Sequence, residues 1–179
     1  MKIQFITGNK NKFAEAQKII SNLEQLDVDL PEIQEIDAKK VIEAKLQEAK
    51  NLFEGEFVVE DTSLYLNCLN GLPGPLIKWF EKTIGNNGIF DITQKYDNYR
   101  AQAKTIVGYI DEGGKISFFE GIIDGTIVKP QGKNDFGWGP IFIPSGQNKT
   151  FAQMNQEEKN KISMRKIAFE KLAKHYHTT

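Results

Sequence analysis

The chain has 179 residues, 40% of them hydrophobic, which suits a single domain over residues 1–179 that buries roughly 70% of its unfolded surface. A net charge of −1 and a pI near 6.2 give no global attraction for nucleic acid or for an anionic membrane. The single cysteine, Cys68, excludes an internal disulfide and any cysteine-rich zinc site; with no signal peptide and no apolar run of the roughly 18 residues a bilayer span needs, the expectation is a cytoplasmic protein.

The apolar run Ile3-Gln4-Phe5-Ile6 breaks into Thr7-Gly8-Asn9-Lys10-Asn11-Lys12, and Phe13 to Ile20 then reads as helix. A strand that enters a helix N-terminus through Gly-Asn offers main-chain N–H groups and the positive end of the helix dipole to an anion. Lys12 falls in the first turn, where a cation opposes the dipole unless an anion offsets it. A phosphate ligand and a plain βα loop with solvated lysines both suit this segment; the GxxxxGK[ST] spacing of a P-loop is absent.

Asp27 to Leu30 predicts a short strand ending at Pro31, with Glu32 just beyond it. Ala38 to Phe53 carries Val41, Ile42, Ala44, Leu46, Ala49 and Phe53 at three- and four-residue spacings, an amphipathic helix that Gly55 stops. Lys45 lies among its apolar neighbours and on that ground alone reads as a snorkelling lysine. Phe57-Val58-Val59 is a buried strand followed directly by Glu60-Asp61-Thr62, the place where α/β sheets put their ligands. Adjacent carboxylates in a strand alternate faces, so at most one of the pair meets a given site. Such a carboxylate can ligate Mg²⁺ or activate water, or it can simply cap a turn.

Gly71-Leu72-Pro73-Gly74-Pro75 predicts a rigid turn leading into a helix from Leu76 to Ile84. Strands at Ala101–Ile110 and Lys115–Val128, the second bent at Gly121 or Gly125, form a hairpin across Gly113-Gly114. A Gly- and Pro-rich loop follows, containing Phe136-Gly137-Trp138, whose aromatics pack on the core or stack on a flat ligand. One long helix runs from Asn155 to about His175, opened by the capping-box pair Asn155 and Glu158. Its core stripe, Ile162, Phe169 and Leu172, includes Arg165, which therefore needs an internal carboxylate or a bound anion as partner. Lys159 and Ser163 line an adjacent face, and His175 and His177 read as solvated. Parallel βα units followed by a hairpin imply a mixed sheet with helices packed on it.

Taken together, several segments resemble the inosine triphosphate pyrophosphatase family, in the family's order and spacing from residue 1 to about 173. They are Thr7-Gly8-Asn9-Lys10-Asn11-Lys12, Leu30-Pro31-Glu32, Val59-Glu60-Asp61-Thr62, Gly71-Leu72-Pro73-Gly74-Pro75-Leu76-Ile77-Lys78-Trp79-Phe80, Phe119-Glu120-Gly121, Asp135-Phe136-Gly137-Trp138, and Glu158-Lys159-Asn160 leading to Ser163-Met164-Arg165. The Glu-Asp-Thr and Gly-Leu-Pro-Gly-Pro segments are similar to the eukaryotic branch.

The resemblance implies an α/β fold with an elongated mixed β-sheet flanked by helices, in two lobes with a central cleft. It also implies a homodimer, a Mg²⁺ cofactor, a nucleotide substrate, and hydrolysis of a nucleoside triphosphate to the monophosphate and pyrophosphate. Carried over by position, Glu32 and Asp61 would bind the metal, and Asp61 would orient or deprotonate the attacking water. Lys12, Lys45 and Lys159 would neutralise triphosphate oxygens, with hydrogen bonds from Thr7, Asn9 and Thr62 in the loop that also holds Gly8, Lys10 and Asn11. Phe136 would stack on the purine beside Gly137, Trp138 and Gly139, and Arg165, with Ser163 and Met164, would lie at its 6-oxo edge.

Two residues depart from the family's usual pattern, which has His where this chain has Met164 and Asp where it has Gly139. Both fall at the base-recognition end, so hydrolysis is expected to persist with relaxed or shifted base discrimination. A nucleotide-binding relative without turnover is the first alternative. A pyrophosphatase of the septum-formation-inhibitor type is the second, and the Phe-Gly-Trp and Lys159/Ser163/Arg165 segments argue against it.

Overall fold

A computed structural model describes residues 3–133 and 137–178, with the side chains of the final helix described through Tyr176. The elements in order are β1 (Ile3–Ile6), α1 (Lys10–Gln17), β2 (Leu23–Leu26), α2 (Ala38–Leu52), β3 (Glu56–Leu66), β4 (Pro73–Gly74), α3 (Ile77–Thr83), α4 (Gly85–Lys95), β5 (Arg100–Ile110), β6 (Ile116–Ile127), β7 (Phe142–Pro144), α5 (Gln156–Ile162) and α6 (Met164–Thr178). The strands form one mixed sheet in the order β2-β1-β3-β5-β6-β7, with β4 also paired to β3. β1 runs parallel to β2 and to β3, in the registers Ile3↔Leu23 and Ile3↔Glu56, while β4 on β3 and β7 on β6 are antiparallel. The α/β mixed sheet flanked by helices is thus the expected fold class. No described helix is long and apolar enough to cross a membrane.

The chain divides into two compact units: residues 1–62, 105–121 and 164–179 in the first, and residues 63–104 and 122–163 in the second. Strand alternation sorts the first unit's core by sheet face. On one face Ile3, Phe5 and Val58 pack with Ala16 of α1 and with Ala168, Phe169 and Leu172 of α6. On the other, Ile6, Phe57 and Val59 pack with Ala38, Ile42, Leu46 and Ala49 of α2. The second unit centres on aromatics: Phe142 stacks on Phe151 at 5.5 Å, and Trp138 meets Phe142 edge-on, also at 5.5 Å.

Several sequence expectations need correction. The strand expected at 27–30 lies instead at Leu23–Leu26, where it takes register with β1, and Leu30 packs against the α2 face from irregular chain. β3 does not stop at Val59 but runs through Glu60-Asp61-Thr62 to Leu66. Helix α4 fills a stretch, residues 85–95, for which the sequence analysis predicts no element. Gly85, at φ +64, separates it from α3, and Ile89 and Thr93 bury its inner side. The expected single C-terminal helix is broken at Ser163, whose backbone is extended (φ −71, ψ 130). The Asn155–Glu158 capping box forms as expected. His175 is not simply solvated, since its ring lies 5.3 Å from that of Phe119 and 6.4 Å from that of Tyr109; the His177 side chain lies outside the described residues.

β6 runs unbroken from Ile116 to Ile127, and its glycines serve close approach. At Gly121 the space for a Cβ is taken by the Met164 carbonyl at the start of α6. Gly121→Ala should therefore destabilise the protein by about 1–3 kcal/mol, read as a lower urea midpoint at unchanged slope.

Candidate functional site

The face of β3 toward α1 and α6 carries a charged cluster. Glu60, its side chain 2% exposed, accepts from Arg165 Nε at 2.8 Å through Oε2 and pairs with Lys12 Nζ at 2.8 Å through Oε1. Arg165 Nη1 donates to Glu15 on α1 at 2.5 Å. Burial alone would raise the Glu60 carboxyl; the guanidinium and then the ammonium overcome that and hold it down at about 2. Burial likewise works against the Arg165 charge, and Glu60 and then Glu15 overcome it and raise its pKa. The core-facing arginine thus has internal carboxylates as partners, through Nη1 and Nε.

The loop before α1 is built by its own side chains. Asn9 is the N-cap, its Oδ1 accepting from the Asn11 and Lys12 amides at 3.0 and 3.1 Å. Thr7 Oγ1 accepts from the Asn9 amide at 3.1 Å, and the Thr7 amide donates to the Leu26 carbonyl. The Lys10 and Asn11 side chains are exposed. The side chains of Thr7 and Asn9 thus shape the loop.

Asp61 follows Phe57 and Val59 at two-residue steps, so it projects to the opposite face of β3, the one packed on α2. Lys45 of α2 donates to Glu32 Oε2 at 2.5 Å, the side chains being 19% and 40% exposed. Glu32 stands in irregular chain after Pro31, not at a strand end. Thr62 shares a 2.8 Å hydroxyl–hydroxyl hydrogen bond with Thr105.

The described residues among those expected at the base have these surroundings. Trp138 is a core residue of the second unit, 8% exposed against Phe142 and Phe151, the packing alternative of the two its sequence context offers. Gly139 is buried and opens a short 3-10 turn with Pro140. Lys159 lies with its ammonium 5.6 Å from the centre of the Phe151 ring. Ser163 and Met164 are buried, and Phe136 lies outside the described residues.

Residues 3–175 match the model of the Ham1 family. The chain belongs to that family. It is similar to an inosine triphosphate pyrophosphatase of Schizosaccharomyces pombe, 42% identical over 95% of this chain and 92% of the relative. It is also similar to a dITP/XTP pyrophosphatase of Methanopyrus kandleri, 38% identical over 98% of this chain and 96% of the relative. The solved Ham1 protein of Staphylococcus aureus shares its fold, with a TM-score of 0.86 at 22% identity over 99% of each chain.

In this Ham1 chain the residues assigned to metal and phosphate, apart from Lys159, all lie in the first unit. Sequence reasoning passed over Glu15 and gave Glu60 no role of its own. The available signal was the arginine stripe itself: a core-facing guanidinium calls for acids on the neighbouring elements, and Glu15 lies one turn after Lys12.

The depressed Glu60 value fixes a sign. A carboxyl held below its ordinary 4.5 contributes stability that is complete above that pH and is lost as pH falls toward 2. Glu60→Gln should lower stability near pH 7 by about 3 kcal/mol. It should also flatten the loss between pH 4.5 and 2, both read by urea unfolding across that range.

Proposed function

We propose that the chain hydrolyses non-standard purine nucleoside triphosphates, namely those of inosine, deoxyinosine and xanthosine, to the monophosphate and pyrophosphate, removing them from the nucleotide pool. Relatives named for inosine triphosphate and for dITP/XTP, matching nearly the whole chain, support this reading. The observation that carries it is the Lys45–Glu32 contact at 2.5 Å, a cation and a carboxylate of the kinds a metal–triphosphate complex requires.

The proposed metal is Mg²⁺. Among the described residues no group of three or more His, Cys, Asp or Glu side chains forms a ready-made cage. Mg²⁺ commonly takes one or two carboxylates and fills its shell with water and phosphate oxygens, so Glu32 and Asp61 fit as its holders. When bound, the ion would stabilise negative charge on the departing pyrophosphate.

The chain's own residues do the rest. A water attacks the α-phosphorus and the bond to the bridging oxygen breaks, that oxygen leaving with pyrophosphate. Asp61 orients this water and takes its proton. Lys12 and Lys45 exchange their carboxylate partners for triphosphate oxygens, and Lys159 adds a third cation. With Arg165 held by Glu15 and Glu60, main-chain groups around residues 163–165 read the 6-oxo edge of the base. Met164 and Gly139 leave that reading less selective. The same reading takes the protein as a cytoplasmic homodimer, with Leu72, Trp79 and Ile84, 43–47% exposed, supplying apolar surface.

With Mg²⁺, pyrophosphate rather than orthophosphate should be released, fastest from inosine or xanthosine triphosphate in a panel that includes adenosine, guanosine and uridine triphosphates. Asp61→Asn should lower kcat by roughly a hundredfold or more in a folded protein. A wild-type protein that turns over none of the panel would overturn the assignment. Trp79→Glu should sediment as a monomer where the wild type sediments as a dimer.

A further inference from the structure

In the second unit, helices α3 and α4 converge on one glycine of the Phe-Gly-Trp loop. Asn86, in the first turn of α4, donates from Nδ2 to the Gly137 carbonyl at 2.9 Å, across 51 residues of sequence. Gly137 has φ +71, and a Cβ built there would lie 2.9 Å from Oε1 of Glu81 in the last turn of α3. The loop residue is thus gripped at its carbonyl from one helix and at its Cα from the other. Directly after it, Trp138 is set into the aromatic core against Phe142 and Phe151.

The grip is chemically unusual. Glu81 Oε1 and Asn86 Oδ1 are both buried and, among the described residues, have no hydrogen-bond partner. Burial raises the pKa of the Glu81 carboxyl. Ordinary helix surface does not keep such a pair, because orphaned buried acceptors are costly. Here they stand against a loop that has no carboxylate of its own at residue 139, where Gly is found.

We propose that Glu81 and Asn86 are positioning residues for nucleobase recognition, clamping Gly137 so that the chain entering Trp138 keeps one fixed backbone path. This rests on the reading of the protein as a nucleoside triphosphate pyrophosphatase. The clamp acts on binding of the base and leaves the reaction at the α-phosphorus untouched. Its loss therefore falls on KM rather than kcat.

The test uses Asn86→Ala, Glu81→Ala and Glu81→Gln in a Trp79→Phe background, where Trp138 is the remaining tryptophan. Asn86→Ala should raise KM for inosine triphosphate roughly tenfold with kcat within about twofold, as expected for one lost hydrogen bond. Glu81→Ala should raise KM several-fold, and the neutral isostere Glu81→Gln should restore it. Folded Asn86→Ala and Glu81→Ala proteins with wild-type KM, or with lowered kcat at unchanged KM, overturn the clamp. If the parent protein releases no pyrophosphate, the activity assignment fails, and the clamp is judged instead by quenching of Trp138 on titration with inosine triphosphate. Roughly tenfold weaker binding by Asn86→Ala then supports it, and equal binding, or none by the parent, overturns it.

Discussion

The carboxylate of Glu60 is the constraint around which the first unit is arranged. A group that is 2% exposed cannot stay ionised without cations, and it takes one from α1 and one from α6. Three elements distant in sequence are thereby held in one geometry. The same contact settles the place of Lys12, a lysine in a helix first turn with a carboxylate to offset the dipole. Pairs of this kind add little net stability over an apolar alternative, but breaking one strands the other charge, so the arrangement is specified more than it is strengthened.

Strand alternation then divides labour between neighbours. Glu60 faces α1 and α6 and is consumed by structure. Asp61, one residue on, faces α2, where Lys45 and Glu32 stand. The Glu-Asp pair is therefore not redundant: one carboxylate orders the scaffold, and the other faces a different helix. Continuing β3 beyond Val59 is what makes this division exact in direction, because a loop there would impose no alternation.

Much of this was legible in the sequence. Period-three and period-four apolar spacing placed α2, the glycine pair at 113–114 placed the turn between β5 and β6, and the Asn155–Glu158 spacing placed the start of α5. The core-facing Arg165 announced a buried partner without saying which. What was missed depended on tertiary contact. Gly85-Asn86-Asn87-Gly88 has the composition of a turn, yet packing of Ile89 and Thr93 makes it helix. For Trp138 in its glycine loop the sequence left core packing and stacking on a ligand both open, and the positions of Phe142 and Phe151 make it core. Contacts spanning 51 residues, such as Asn86 with Gly137, have no local signature at all.

The first unit is assembled from three separated stretches of chain, and this has a kinetic consequence. Glu60 meets its arginine across 105 residues of sequence, and Glu15 meets the same arginine across 150. During synthesis, at 5–20 residues per second, the β3 face would wait roughly 5–20 s for α6 to emerge. Until then α1 and the central strands carry an apolar surface and a buried-position carboxylate with no lid. Closing so long a loop before any contact rewards it makes folding slow and late. The nascent chain is thus most exposed to aggregation and proteolysis in its earliest-made part, and the emergence of a single helix ends that exposure.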